Sequence, residues 1–318
     1  MRIARSLPEA TGFGASVLTI GNFDGVHAGH RHLLREVTKI AKERGLRPTA
    51  MTFDPHPSAI VAPERAPRLL TTPLERCELM QQEGIEQVLI LPFTRDVAMM
   101  TPEQFVADVV TGTLGARVVL VGDNFRFGRR QAGDTSALCE LGLKYDFSAT
   151  ILGPVSCRGR IVSSSEVRRL IEAGNVALAG RMLERPYWLS GDVVSGRGIG
   201  SKQTVPTLNL RTSSEVLPRN GVYITRTHDL EDGRCWNSIT NVGHRPTFGG
   251  NDLSIETFLL DKFEEPVPSK IRVEFWRRVR DERKFESPEA LKEQIFRDVA
   301  RAQTYFRRLG RWVASGLH

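Results

Sequence analysis

The stretch Thr19-Ile20-Gly21-Asn22-Phe23-Asp24-Gly25-Val26-His27-Ala28-Gly29-His30 decides how the first half of the chain is read. Ahead of it, Ser16–Ile20 (SVLTI) is a short apolar run of the kind that forms a buried strand. After it, Leu33, Leu34, Val37, Ile40 and Ala41 recur at helical spacing, so a helix is expected to begin near His30. Lys39, Lys42 and Arg44 suit its last turn, and Gly45 its stop. A turn between a strand end and a helix start presents free backbone N–H groups, and the helix dipole there favours an anion. Gly29 allows close approach of a phosphate, where a side chain would collide. His27 and His30 lie three apart, so both imidazoles can face one anion from the first helical turn. Such a pair suits charge developing on a polyphosphate under attack. Two plainer readings of an H-x-x-H pair are surface histidines and two ligands of a zinc site. The zinc reading lacks a third and fourth ligand at recognisable spacing.

Further strands are expected at Thr49–Phe53, Gln87–Leu91 and Arg117–Val121, with helical stretches such as Leu74–Glu83 and Pro102–Val110 between them. Strands alternating with helices imply a parallel sheet that binds ligands beyond its carboxyl edge. Phe53-Asp54-Pro55-His56-Pro57 follows the second strand, and Val121-Gly122-Asp123-Asn124-Phe125-Arg126-Phe127-Gly128 follows the fourth, so both reach that edge. Arg160-Ile161-Val162-Ser163-Ser164-Ser165-Glu166-Val167-Arg168 sets hydroxyls before a helix with arginines on either side. The serines alone read as a helix cap, and with Arg160 and Arg168 as a triphosphate clamp.

After Pro186 the pattern changes to short β-prone runs, at Gly191–Val194, Thr207–Leu210, Val222–Thr227, Cys235–Val242, Leu253–Leu260 and Ile271–Val279. Gly, Asn, Asp and Pro clusters separate them, as in an antiparallel barrel. Ser287–Arg308 then returns to helical spacing, with Ser287 as cap and Pro288 at the first position. The 318 residues exceed one core's usual size, and the boundary between two domains is expected within Gly174–Arg185.

Composition is that of an ordinary globular protein, with 40% hydrophobic and 25% charged residues. No apolar run is long enough to span a bilayer, and the first ten residues carry charges and a proline where a signal peptide has an apolar core. A cytoplasmic protein without membrane contact is expected. Cys77, Cys139, Cys157 and Cys235 form no C-x-x-C pair and read as buried free thiols. The net charge of +7 divides unevenly: 22 basic against 20 acidic residues up to residue 184, and 22 against 17 beyond it. Acidic residues are mixed in nearly throughout, so phosphorylated small molecules explain the excess better than nucleic acid does.

Taken together, T-I-G-N-F-D-G-V-H-x-G-H, F-D-P-H-P and V-G-D-N-F-R-F-G resemble the bacterial bifunctional riboflavin kinase/FAD synthetase family, and the likeness runs over nearly the whole chain. The family's S-S-T segment reads Ser163-Ser164-Ser165 here, which keeps the hydroxyl. In the second half Pro206-Thr207-Leu208-Asn209 matches the family's P-T-x-N, and Asn241-Val242-Gly243-His244-Arg245-Pro246-Thr247-Phe248 its N-V-G-x-x-P-T-F. Arg280-Asp281-Glu282-Arg283-Lys284-Phe285 resembles R-x-E-x-K-F. The Gly196–Gly200 loop could bring backbone N–H groups to phosphates or be a plain glycine-rich hairpin. The family's L-G-F-P-T departs here to Gln203-Thr204-Val205-Pro206-Thr207, which puts the kinase half more in question.

What the resemblance implies is an α/β Rossmann-like nucleotidyltransferase domain over 1–184 and a small antiparallel riboflavin kinase-like β-barrel with a C-terminal helix over 185–318. The first would adenylylate FMN to FAD with release of pyrophosphate; the second would phosphorylate riboflavin to FMN. Catalytic roles fall on His27, His30 and Glu256. Nucleotide contacts fall on Gly21, Asn22, Phe23, Asp24, Gly29, Asn124, Arg160, Ser163, Ser164, Arg168, Gly198 and Gly200. Flavin contacts fall on Phe53, Asp54, Pro55, Phe125, Arg126, Arg280 and Phe285, and Mg-ATP on Thr207 and Asn209. Riboflavin, FMN, FAD and ATP are then substrates and products, Mg²⁺ the metal, and the protein a monomer or weak homo-oligomer. Rival readings are a chain with one active module, a non-catalytic flavin or nucleotide sensor that keeps the folds for binding, and a nucleic-acid binder.

Overall fold

The computed structural model describes residues 1–194, 207–247, 250–261 and 265–314. Its first unit covers Met1–Ser164 and its second Ser165–His318. The helices Ser164–Glu172 and Val176–Leu183 thus fall, but for Ser164, in the second unit, although the sequence division at 184 sets them in the first.

In the first unit the apolar runs become strands β1 (Arg2–Ala4), β2 (Ser16–Ile20), β3 (Arg47–Asp54), β4 (Gln87–Pro92), β5 (Ala116–Gly122) and β6 (Ser148–Leu152). They form one parallel sheet in the order β1-β4-β3-β2-β5-β6. Every residue of β2 is buried, as expected of a strand covered on both faces. Leu18, Ile20, Met51, Leu89, Val119 and Val121 pack with Phe105, Val109 and Leu114 into its core. From β2 the chain runs to β3 and β4 on one side, then crosses to β5 on the other. The strand order therefore reverses between β2 and β5, where α/β sheets open a crevice at their carboxyl ends. A small hairpin, β7 (Ser156–Cys157) with β8 (Arg160–Ile161), follows β6.

The helix expected near His30 runs Ala28–Arg44 and ends at Gly45, whose φ of 65° is the left-handed cap a glycine adopts freely. The helix expected at Pro102–Val110 tightens only over Pro102–Gln104 and continues as a π-helix, Phe105–Thr113. Thr111 and Thr113 donate hydroxyls to the carbonyls of Val106 and Asp108, five residues back, and Gly112 leaves room that a Cβ would lose to the Ala107 carbonyl. These local bonds favour the wider turn.

The second unit holds strands β9 (Tyr187–Val194), β10 (Thr207–Thr212), β11 (Gly221–Asp229), β12 (Cys235–Thr247), β13 (Gly250–Leu259) and β14 (Lys270–Arg280). They close an antiparallel barrel in the order β10-β13-β12-β11-β14-β9. Alternation sends Tyr223, Val273, Phe275 and Leu259 inward together with an uncommon set of hydroxyls. Thr225 meets Ser238 at 2.9 Å and Thr240 at 2.8 Å, Thr227 meets Ser238 at 2.8 Å, and Thr240 meets Thr257 at 2.9 Å. Each buried hydroxyl thereby finds a partner. The terminal helix Pro288–Ala314, capped by Ser287, lays Val299, Ala302, Tyr305 and Phe306 over Val222, Ile224 and Ile239 on the barrel's outer face. A buried ion pair, Arg280 Nε to Asp298 Oδ2 at 2.8 Å, fastens that helix to β14.

All four cysteines are free, but only Cys77 is buried, and burial pushes its thiol up to about 11. Cys139 and Cys235 are exposed, which corrects the expectation of buried thiols: each sits on the solvent side of a helix or strand. No helix among the described residues is long and apolar enough to cross a membrane.

Candidate functional sites

The turn after β2 is held from below. Asp24 is buried, and its carboxylate accepts from the backbone N–H of Leu70 (2.9 Å) and Thr71 (3.1 Å). Thr71 Oγ1 in turn accepts from Gly25 N–H at 2.9 Å. Arg76, only 2% exposed, donates to the carbonyl of Asn22 (2.8 Å), to Thr52 Oγ1 (2.9 Å) and to the carbonyl of Phe53 (3.4 Å). Burial lowers the Arg76 pKa while Asp24 and Asp54 oppose the shift. One buried cation therefore ties the β2 turn to the end of β3. Arg76 escaped the sequence reading because, among the charges of Leu74–Glu83, nothing marks one as buried.

These bonds hold Phe23 and Val26 at positive φ, 49° and 39°, a strain that marks constrained sites. The chain then enters the helix with His27 as cap, its Nδ1 accepting from His30 N–H at 3.3 Å. The His27 and His30 rings stack with centroids 3.7 Å apart and planes 12° apart, and Phe23 meets His30 edge-on at 5.1 Å. A Cβ on Gly29 would press on the His27 ring, so this glycine makes room for an imidazole, a reason the sequence reading did not find. Burial, with His27 and Arg76 nearby, holds the His30 pKa well below the usual histidine value, so His30 is neutral at neutral pH. Its Nδ1 is buried without a hydrogen-bond partner.

Because the sheet is parallel, the ends of β2, β3 and β5 share one edge. Gly21, Asn22, His27 and His30 leave from β2; Phe53, Asp54 and Pro55 from β3; Asn124, Phe125 and Arg126 from β5. Half-buried Phe53 packs edge-on against Phe93 at 5.4 Å, and Phe125 stacks on Phe127 at 5.4 Å. Arg126 donates to the Phe125 carbonyl at 2.9 Å. Ser164 Oγ donates to the Asp24 carbonyl at 2.9 Å, so it braces the β2 turn. Ser163 lies between the β7–β8 hairpin, which carries Arg160, and the helix that begins at Ser164. Arg168, in the second unit, donates to Ser165 Oγ at 3.4 Å.

In the barrel, Ile255 and Thr257 point inward and Glu256 outward, half-buried. Asn209 on β10 stands opposite Glu256, which stands opposite Asn241 on β12. An Asn–Glu–Asn row thus crosses three strands on one outer face, with Thr207 one step along β10 on the same side. Ser254 donates to Glu256 Oε1 at 2.9 Å. A Cβ on Gly243 would collide with the Glu282 carboxylate, which brings two segments distant in sequence to this face. Arg280, expected at a flavin, is committed to Asp298 and lies over the Phe285 ring at 5.7 Å. Gly198 and Gly200 lie outside the described residues, as does Thr204.

Thr207 and Asn209 supply oxygen donors two residues apart, which suit a hard cation shared with phosphate oxygens. Among the described residues no three His, Cys, Asp or Glu side chains gather as a metal cluster, so protein atoms would contribute only part of the coordination.

The family model for FAD synthetase matches residues 11–166, and that for riboflavin kinase residues 183–306. The chain is 35% identical to the bifunctional riboflavin kinase/FMN adenylyltransferase of Escherichia coli (strain K12), covering 91% of this chain and 92% of that protein. It is 34% identical to the protein of that description from Pseudomonas fluorescens, covering 95% and 97%. A solved structure described as a macrolide-efflux protein from Streptococcus pneumoniae superposes with a TM-score of 0.85 at 27% identity, covering 95% of this chain and 98% of that one. With a parallel sheet followed by a closed barrel, and both halves matched in order, the chain belongs to the bifunctional riboflavin kinase/FMN adenylyltransferase family.

Proposed function

We propose that the family's two reactions divide between the two halves, with FMN adenylylation carried by residues 1–184 and riboflavin phosphorylation by 185–318. The protein is a riboflavin kinase and an FMN adenylyltransferase: ATP phosphorylates riboflavin to FMN, and a second ATP adenylylates FMN to FAD with loss of pyrophosphate. The observation that carries the division is the stacked His27–His30 pair at a helix start on the sheet's carboxyl edge, in one unit, and the outward Glu256 row in the other.

In adenylylation the FMN phosphate attacks the α-phosphate of ATP. The N–H groups at the start of the Ala28–Arg44 helix and the two imidazoles receive the negative charge that develops on the polyphosphate. His30 acts as a neutral group that donates a ring N–H to the polyphosphate. Asn22, Asn124 and Arg160 border the nucleotide, Phe53 and Phe125 the flavin, while Asp24, Ser164 and Arg76 keep the turn in shape.

In phosphorylation Glu256 takes the proton of the riboflavin 5′-hydroxyl as it attacks the γ-phosphate. Asn209 and Asn241 stand on either side of Glu256 in the strand register, and the Ser254 hydroxyl holds the carboxylate. Thr207 and Asn209 would hold Mg²⁺, which when bound neutralises charge on the phosphates of ATP. Arg280 serves by fixing the terminal helix, and Phe285 by packing on it. The protein works in the cytoplasm as a monomer or weak homo-oligomer, without membrane or nucleic acid.

A chromatographic time course with riboflavin, ATP and Mg²⁺, repeated from FMN, tests this. FMN that rises and then falls as FAD accumulates supports both halves; FAD from FMN but none from riboflavin removes the kinase.

A further inference from the structure

Neither candidate site accounts for the basic excess of the second half. From Val299 to the last residue the chain carries Arg301, Arg307, Arg308 and Arg311 and no acidic residue. Part of this charge converges on a groove of about 800 Å³ between β14 and the terminal helix, lined by Arg277, Arg301, Arg308, Thr304 and Tyr305 among others. These three arginines are exposed, and their side chains make no hydrogen bond or ion pair among the described residues. The acidic residues nearby are engaged elsewhere: Asp281 with Arg278, Asp298 with Arg280, Glu293 with Arg297 and Glu274 with His228. Burial pushes the Tyr305 phenol up while Arg277 and Arg226 pull it down, and Arg226 lies over the neighbouring Phe306 ring at 5.7 Å.

The groove is separate from the phosphoryl-transfer face. Glu256 stands on β13, whereas the groove lies along β14 and β11, with β12 between β13 and β11. On the terminal helix, Gln303 and Arg307 border a different hollow with Asn237 and Leu260. Arginines near a helix C-terminus also offset the helix dipole, which accounts for Arg308 but not for Arg301, further back, or Arg277 on a strand.

We propose that this groove is a binding site for a polyphosphate, a small molecule with at least two linked phosphoryl groups. Arg301 and Arg308 are seven apart, two turns on one helix face, and Arg277 opposes them from β14. Guanidinium forks pair two-pronged with phosphate oxygens, and three together match an anion of several charges better than a single phosphate. The volume of the groove is that of small-molecule sites, although it opens widely to solvent. The enzyme's own reactions supply three such molecules: ATP, pyrophosphate and FAD. That choice of probes rests on the functional reading; the site itself does not.

The test is arginine-selective labelling of the full chain with phenylglyoxal, mapped by peptide mass spectrometry, in inorganic pyrophosphate and in sodium chloride of equal ionic strength. Pyrophosphate should slow labelling of Arg277, Arg301 and Arg308 several-fold and chloride should not; parallel arms with ATP and FAD identify the source. Equal protection by chloride, or none by any of the three molecules, overturns the proposal. So does protection by an RNA oligonucleotide alone, which would make this a macromolecular surface. In equilibrium dialysis the triple variant Arg277→Gln/Arg301→Gln/Arg308→Gln should bind one equivalent of pyrophosphate fewer than the parent while still forming FMN and FAD. Unchanged stoichiometry also overturns it. Failure of the parent to form FMN or FAD would count against the functional reading and leave the labelling result standing.

Discussion

In the first unit the candidate groups sit where strands end; in the second they sit along the strands themselves. The parallel sheet brings the ends of β2, β3 and β5 to one edge, and the loops there depend on buried partners, Asp24 and Arg76, for their shape. The barrel sets Asn209, Glu256 and Asn241 in line by strand register, and the backbone ladder alone fixes their spacing. A site on loops needs an internal scaffold of polar bonds, whereas a site on a ladder receives its geometry from the sheet. Substitutions should therefore damage the two in different ways.

The largest effect expected is on rate. His30→Ala should slow FAD formation from FMN by about 10²–10³ and leave FMN formation from riboflavin unchanged. Glu256→Gln should do the reverse, with a loss of about 10²–10⁴. Separate assays of the two steps check this, and loss of both activities in one folded variant would break the comparison. Next comes the scaffold. Arg76→Met removes a buried cation and should cost the first unit about 3–5 kcal/mol. Urea unfolding should show its transition move while that of the barrel stays, and a shift of both would mean that the units do not unfold independently.

A smaller effect is one of pH. The folded pKa of His30 is depressed, so below an unfolded pKa of about 6.5 the unfolded chain binds more protons. Stability from this group is complete above that value and is lost as pH falls toward the folded pKa, by at most about 1.4 kcal/mol per pH unit. His30→Gln should flatten the pH dependence of the first unit's unfolding midpoint between pH 6.5 and 5 and leave the barrel's unchanged; identical slopes would refute the assignment. Smallest is Thr240→Val in the barrel interior, which should cost about 1 kcal/mol by thermal unfolding while the kinase KM holds. A shifted KM would show that the hydroxyl chain reaches the outer face.

Much of the architecture was legible because periodicity reports burial. Ser16–Ile20 has the same bounds in sequence and structure, and the six barrel runs differ from their strands mainly at the ends. β1 and β6 went unseen: three residues at the chain start and a half-polar SATIL carry too little pattern. Among site residues, the histidines could be read from their place between strand and helix. The partners of Asp24, the bracing by Ser164 and the burial of Arg76 come from segments 46, 140 and 54 residues distant from the β2 turn, and no local pattern encodes such contacts. Arg280 belongs with them, since its partner Asp298 is on another element.

The guanidinium of Arg76 reaches carbonyls on both the β2 turn and the end of β3 at once, and so works as a spacer of fixed length. The gap between a phosphate-handling turn and the loop that begins at Phe53 is set during folding, before any substrate arrives. Ordering those two loops then adds no entropic cost at the moment of binding. All three of its bonds leave one nitrogen, Nη1, so a methionine at 76 would remove them together and leave that gap free to vary.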